Sequence, residues 1–169
     1  MKPQFVPSHK IFRSPEELAI RLEKDREAGR TVVTANGCFE LLHIGHVHYL
    51  RAAKEQGDIL VVAVNTDESI RSIKPDRRPV NPDFERFEIL AELACVDYVV
   101  PLEETTPCSL LELLKPDVHT KGTDYTLDRI PEREVVERYG GRVELVGGPK
   151  EHSTTDMLRH LKSARKLLS

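Results

Sequence analysis

Thr34-Ala35-Asn36-Gly37-Cys38-Phe39-Glu40-Leu41-Leu42-His43-Ile44-Gly45-His46 is the stretch on which the fold turns. Residues 31–34 form a short β-branched run that predicts a strand. From Gly45 onward, Val47, Leu50, Ala53 and Lys54 recur at helical spacing until Gly57. The intervening residues, 35–43, are expected as a loop. A glycine-bearing loop between a strand and a helix is where a doubly wound sheet offers backbone amides and a helix N-terminus to an anion. Gly37 permits close backbone approach. His43 and His46 are three apart, so one helical turn brings both imidazoles to the same side. Gly45 between them removes a side chain that would crowd a ligand. The stretch therefore predicts a site for phosphate oxygens. Two other readings stand beside it. His43, His46 and His48 could form a metal cluster, although no cysteine or carboxylate completes a convincing set; or they are surface histidines without a role. Neither a Walker loop nor a Gly-x-Gly-x-x-Gly pattern is present, which counts against P-loop and dinucleotide readings.

Outward from this stretch the pattern repeats. Residues 1–13 are expected as an arm, with an edge strand around Ile11 and Phe12. Ser14-Pro15-Glu16-Glu17 carries a capping serine and a proline suited to the first helical position. Leu18, Leu22 and the stem of Arg26 share one face of that helix, and Gly29 ends it. Residues 59–64 are an unbroken apolar run, the mark of a buried parallel strand. A loop rich in proline and charge at 75–82 precedes a helix over 84–94. Strands follow at 98–100, 118–121 and 143–146. Between them lie a helix from Thr106-Pro107 to Leu114 and another over 131–139, closed by Gly140-Gly141. A last helix starts at Ser153-Thr154-Thr155. Alternating strands and helices imply a parallel sheet covered on both faces, joined by right-handed crossovers. Ligands bind outside the carboxyl ends of such strands.

Composition bounds the function. The 169 residues fit one domain, here 14–169 behind the arm. With 31% charged and 39% hydrophobic residues, the balance is that of an ordinary soluble protein. A formal net charge of -3 gives no global field for nucleic acid. No apolar run is long enough to span a membrane, and Met1 to Arg13 is not a secretory signal. Cys38, Cys95 and Cys108 are widely spaced and odd in number, which suggests reduced thiols and a cytoplasmic protein.

Several segments together carry a resemblance. They are the stretch from Asn36 to His43, His46-Val47-His48-Tyr49-Leu50, Val64-Asn65-Thr66-Asp67, Arg78-Pro79-Val80-Asn81-Pro82, Cys95-Val96-Asp97-Tyr98-Val99-Val100, Lys115-Pro116-Asp117-Val118, Lys121-Gly122-Thr123-Asp124-Tyr125 and Ser153-Thr154-Thr155. From about Lys10 to the last helix, the chain resembles the His-x-Gly-His nucleotidyltransferase superfamily. Within it, the chain is most similar to the heptose 1-phosphate adenylyltransferases of lipopolysaccharide precursor synthesis. That activity occurs as a separate protein or as the C-terminal half of a bifunctional kinase. Three positions depart from the pattern: Glu40 stands where aspartate is usual, Thr123 where a second glycine is usual, and His152 where an aromatic or apolar residue is usual.

The resemblance implies a Rossmann-like doubly wound sheet of about five parallel strands, of the nucleotidylyl transferase type. It implies transfer of AMP from ATP to a sugar 1-phosphate, D-glycero-β-D-manno-heptose 1-phosphate, with Mg²⁺ accompanying ATP and pyrophosphate leaving. His43 and His46 are expected to stabilise charge on the phosphates, and Lys74 to swing a cation onto them; a solvated loop lysine is the plainer reading of Lys74. Nucleotide contacts are expected from Asn36, Gly37, Cys38, Phe39, Gly45, Lys121, Gly122, Asp124, Tyr125, Ser153, Thr154 and Thr155. For the last three, simple helix capping is the competing reading. Acceptor contacts are expected from Asn65, Asp67 and Arg86, with a surface salt bridge the plainer reading of Arg86. Two functional alternatives remain: a cytidylyltransferase for glycerol 3-phosphate or a similar alcohol phosphate, and a nucleotide-binding module without catalysis. The first usually carries an arginine shortly before the serine, where this chain has Val146-Gly147-Gly148-Pro149-Lys150-Glu151. A homodimer is expected, because the apolar Ile11 and Phe12 of the arm are too exposed for a monomer and because the related enzymes commonly pair.

Overall fold

The aliphatic and β-branched runs become strands in the computed structural model, which describes residues 8–74, 78–148 and 157. These are β1 (Val32–Gly37), β2 (Ile59–Asn65), β3 (Tyr98–Leu102), β4 (Val118–Gly122) and β5 (Arg142–Val146). All five are parallel, in the order β3-β2-β1-β4-β5. β2 is buried at every position, as its unbroken apolar run requires of a strand covered on both faces. The connecting helices are α1 (Pro15–Glu27), α2 (Ile44–Lys54), α3 (Asp67–Ile73), α4 (Asp83–Ala91), α5 (Cys108–Leu114) and α6 (Glu132–Arg138). One face of the sheet packs Val33, Leu60 and Val62 against Leu50 and Ala53 of α2 and Leu90 of α4. The other packs Val32, Val61 and Val100 against Leu18 and Leu22 of α1 and Leu110 and Leu114 of α5. Full burial of each such leucine contributes roughly 1.5–3 kcal/mol relative to leaving it in water.

Strand order explains where a ligand goes. The chain winds outward from β1 to β2 and β3, then returns across β1 to build β4 and β5 on its other side. The reversal lies between β1 and β4, and crevices of doubly wound folds open at the carboxyl ends of the strands flanking such a reversal.

Several boundaries differ from the sequence reading. β1 runs to Gly37, so Asn36 and Gly37 end a strand rather than begin a loop. Asn36 and Gly37 pair in register with Ala63 and Val64, and that pairing outweighs their poor strand propensity. The 67–73 segment, left without an element, is helix α3, capped by the Thr66 hydroxyl, which accepts from Ser69 N at 3.2 Å. Its seven residues bury only Ser69 and Ile70, too few to show a period. A 3-10 turn, Leu127–Arg129, is likewise too short to show a period. The α1 start is as expected: Glu17 N donates to Ser14 Oγ at 3.3 Å.

The arm also differs. Phe12 N donates to Val99 O, and Val99 N to Lys10 O, both at 2.9 Å, so residues 10–12 run parallel to the edge of β3. Ile11 packs on one core and Phe12 on the other, the Phe12 ring standing edge-on to Tyr98 at 5.3 Å. Both are half-buried in their own subunit, which removes the exposure from which a homodimer was expected. Among the described residues no helix is long and apolar enough to cross a membrane. The expected last helix lies outside the described residues apart from Met157.

Candidate active site

A cleft of about 660 Å³ opens where β1 and β4 end. Asn36 at the end of β1 and Lys121 near the end of β4 meet there: Lys121 Nζ donates to Asn36 Oδ1 at 2.9 Å. The same ammonium pairs with Glu132 Oε1 at 2.8 Å, from the first turn of α6. The Tyr125 ring lies 5.5 Å from Lys121 Nζ, close enough for a cation–π contact, with its side chain about half exposed to the cleft. Tyr49 of α2 donates its hydroxyl to Thr120 O at 2.8 Å, which fixes α2 across β4; burial pushes that phenol's pKa up.

The loop after β1 is shaped by two backbone constraints. Phe39 adopts a left-handed φ of 46°, rare for an aromatic residue. A side chain at Gly37 would approach the Phe39 ring to 3.1 Å, so the ring folds back over a position that glycine keeps open. Phe39 is buried and meets His46 edge-on at 5.1 Å. His43 stands at the N-cap of α2 and His46 in its first turn. Their rings stack 3.8 Å apart at 22°. Among the described residues, α2 has no side-chain capping hydrogen bond from its N-cap residue. The first amides and the positive end of its dipole therefore sit beside the two imidazoles.

Glu40 is the loop's charged member and is only 1% exposed. Lys74, which closes α3, reaches Oε1 at 2.5 Å, and Arg78 Nε pairs with Oε2. Burial alone would raise this carboxyl's pKa; the hydrogen bonds and charges of Arg78 and Lys74 outweigh it and hold it below the usual range. Two cations, Lys74 and Arg78, are thus fixed in the lining of the same cleft as Lys121. Together these features bring a helix start, two imidazoles, the cations Lys74, Arg78 and Lys121 and a half-exposed aromatic ring to one cleft.

Comparison with known proteins fits this geometry. The family model described as Cytidylyltransferase-like matches residues 34–163. The chain belongs to the cytidylyltransferase-like family. It is a nucleotidyltransferase. Proteins named bifunctional protein HldE are similar to it: 47% identical over 150 residues in Syntrophotalea carbinolica, covering 89% of this chain and 31% of that protein. In Geobacter sulfurreducens the figures are 50% over 147 residues, 87% and 30%. The chain therefore spans about a third of the length of the curated relatives it matches. A solved structure described as the lipopolysaccharide core biosynthesis protein from Thermoplasma volcanium superposes with a TM-score of 0.60 at 32% identity. That match covers 70% of this chain and 95% of that one. The pantothenate synthetase of Thermus thermophilus shares the fold, with a TM-score of 0.57 at 21% identity over 82% of this chain and 60% of that one.

For this nucleotidyltransferase, the expected residues divide by position. Asn36, Gly37, Cys38, Phe39, His43, Gly45, His46, Lys74, Lys121, Gly122, Asp124 and Tyr125 all line the one cleft. Asn65 lines it too, held by hydrogen bonds from its Nδ2 to Ser69 Oγ at 2.9 Å and Glu104 O at 3.2 Å. Asp67 and Arg86 do not line it. Arg86 is not the surface ion pair of its plainer reading. It is buried, donating to Cys38 O at 2.6 Å, Asn65 O at 2.7 Å, Asn81 O at 3.1 Å and Asp67 Oδ1 at 2.9 Å. It braces the ends of β1 and β2 from behind. Ser153, Thr154 and Thr155 lie outside the described residues. The Cys38 thiol is pushed up by burial, which suits packing rather than nucleophilic attack. Among the described residues no group of three or more His, Cys, Asp or Glu is placed to hold a metal ion. Sequence reasoning passed over Arg78, Tyr49 and Glu132 as site residues. Arg78 and Tyr49 stand in segments that carry the family resemblance; Glu132 stands in none.

Proposed function

We propose that this chain transfers AMP from ATP to a sugar 1-phosphate, D-glycero-β-D-manno-heptose 1-phosphate, giving ADP-heptose and pyrophosphate for lipopolysaccharide core synthesis. The observation that carries the reading is the stacked His43–His46 pair at the open N-terminus of α2, in the cleft between β1 and β4, with Lys74 and Arg78 on its wall. The names of the bifunctional relatives and of the lipopolysaccharide core biosynthesis protein support the acceptor. A phosphate oxygen of the acceptor attacks the α-phosphorus of ATP in line. The bond from that phosphorus to the bridging oxygen breaks, and pyrophosphate departs with the electron pair. No covalent enzyme intermediate is needed, so the protein's task is positioning and charge stabilisation. His43 and His46 donate to the α-phosphate oxygens as charge spreads over them. Lys74 and Arg78 face the departing pyrophosphate.

Mg²⁺ entering with ATP would offset the charge of the triphosphate. Glu40 and Glu132 are already engaged by Lys74, Arg78 and Lys121, so phosphate oxygens and water would supply most of its ligands. Neither nucleic acid nor membrane enters this reading, and the cytoplasm, where ATP is supplied, is its proposed location. A homodimer remains part of the proposal without the support of Ile11 and Phe12. The test is pyrophosphate release with Mg²⁺, each nucleoside triphosphate, and a panel holding heptose 1-phosphate and glycerol 3-phosphate. ATP with heptose 1-phosphate should be the best pair. CTP with glycerol 3-phosphate turning over about tenfold better in kcat/KM would overturn the acceptor assignment.

A further inference from the structure

Glu132 is 4% exposed, lines the cleft, and belongs to no expected set of site residues. Its Oε1 is taken by Lys121 Nζ at 2.8 Å. Its Oε2 is buried and has no hydrogen-bond partner among the described residues. A charged carboxylate oxygen withdrawn from water and left without a donor is costly, so its place in a fold calls for an account. Lys121 supplies half of one: its ammonium pairs with Oε1, and its second bond, to Asn36 Oδ1 at 2.9 Å, ties the pair to the end of β1.

The chemistry of that oxygen limits its partner. It can only accept. A phosphate would be repelled, so the anionic end of the nucleotide must lie elsewhere, at His43, His46, Lys74 and Arg78. A metal ion would find one free carboxylate oxygen beside an ammonium, a poor cation site. A neutral hydroxyl donor fits. Tyr125, following β4, offers a half-exposed ring beside the same Lys121, a face on which a planar base can stack. A hydroxyl acceptor next to a stacking face, in a cleft also lined by His43, His46, Lys74 and Arg78, offers a partner to each part of a nucleoside triphosphate: base, ribose and phosphates.

We propose that Glu132 Oε2 accepts a hydrogen bond from a ribose hydroxyl of the bound nucleotide and so selects ribonucleotides over deoxynucleotides; this rests on the reading of the cleft as an ATP site. The loss of a hydroxyl from the ligand then leaves the oxygen unpaired in the complex, which is why discrimination is strong.

The test is calorimetric binding of ATP, 2′-deoxy-ATP and 3′-deoxy-ATP, without acceptor, to the wild-type chain and to Glu132→Gln. In the variant, Lys121 claims the amide oxygen and an NH₂ replaces the charged acceptor. Wild type should bind ATP at least about tenfold better than one of the two analogues, the range of a charge-assisted bond. Glu132→Gln should weaken ATP by about tenfold while leaving that analogue nearly unchanged, so that the preference collapses. Melting curves establish that the variant is folded, and the wild-type comparison needs no variant. Equal binding of all three nucleotides to wild type would overturn the proposal and leave water or an acceptor hydroxyl as the partner. Equal weakening of all three by the variant would overturn it too, reducing Glu132 to a support for Lys121. Failure of ATP to bind wild type at all would sink the reading of the cleft; binding without ribose dependence would sink this proposal alone.

Discussion

Lowering the pH should loosen this protein at a definite place, the seam between β1 and β4 beneath the cleft. His119 of β4 is fully buried, and its Nδ1 lies 2.9 Å from Thr34 Oγ1 on the paired strand. Burial, reinforced by the charge of Lys121, pushes its pKa down from 6.5 to about 3. The folded state therefore holds this imidazole neutral where the unfolded chain would protonate it. Its contribution is complete above about pH 6.5 and is lost progressively as the pH falls toward about 3. At about pH 5 the linkage amounts to about 2 kcal/mol, from 1.36 kcal/mol for each of the 1.5 or so units below the unfolded pKa. For a chain of this size that is a fall in Tm of about 4–8 °C relative to about pH 7.5. Glu40, whose carboxyl is held low by Arg78 and Lys74, moves stability in the same direction, so total acid sensitivity is not diagnostic. The diagnostic quantity is the difference between wild type and His119→Asn, each compared with itself at the two pH values. The variant keeps an acceptor for Thr34 and lacks the titration. It should start less stable, since it loses volume in the core, yet lose about 2 kcal/mol less between the two pH values in urea titrations. Parallel pH profiles for the two proteins would refute the reasoning, because the buried imidazole would then cost nothing to protonate.

Two further outcomes are expected at the cleft. His46→Ala should lower turnover by about 10²–10³, the effect of losing one donor to developing charge, while ATP binding measured by calorimetry weakens far less; near wild-type turnover would remove His46 from the catalytic set. Glu40→Gln should cost about 1–3 kcal/mol by urea titration, below the range for breaking a fully buried pair because the side chains of Lys74 and Arg78 are 32% and 18% exposed and keep some water. The same variant should raise the KM for ATP, since both cations lose their anchor; an unchanged urea midpoint would show that the ion pairs carry no weight.

How far the sequence discloses such a site depends on how local the signal is. The run at 59–64 needs only its neighbours to be read as a buried strand, and β2 is buried throughout. The strand–loop–helix order around His43 and His46 is equally local, and the two rings do stack. The missed parts depend on partners distant in sequence or on pairings that cross the fold. Arg86 looks like any helix-surface arginine until it is seen bonding Cys38 O and Asn65 O, 48 and 21 residues away. No periodicity marks a side chain that turns inward to satisfy two strand ends. β1 was cut short at residue 34 because Asn36 and Gly37 have poor strand propensity, and only the β2 register extends it. Glu132 opens a helix, where an acidic residue is ordinary by virtue of the dipole alone; the strand neighbour Lys121, not the local pattern, turns it into a site residue. The histidines could be found because phosphate binding uses the helix start itself, a feature written into consecutive residues. The ribose end is built from a strand, a turn and a separate helix. Its chemistry appears only when the topology that reverses between β1 and β4 has brought Asn36, Lys121 and Glu132 together.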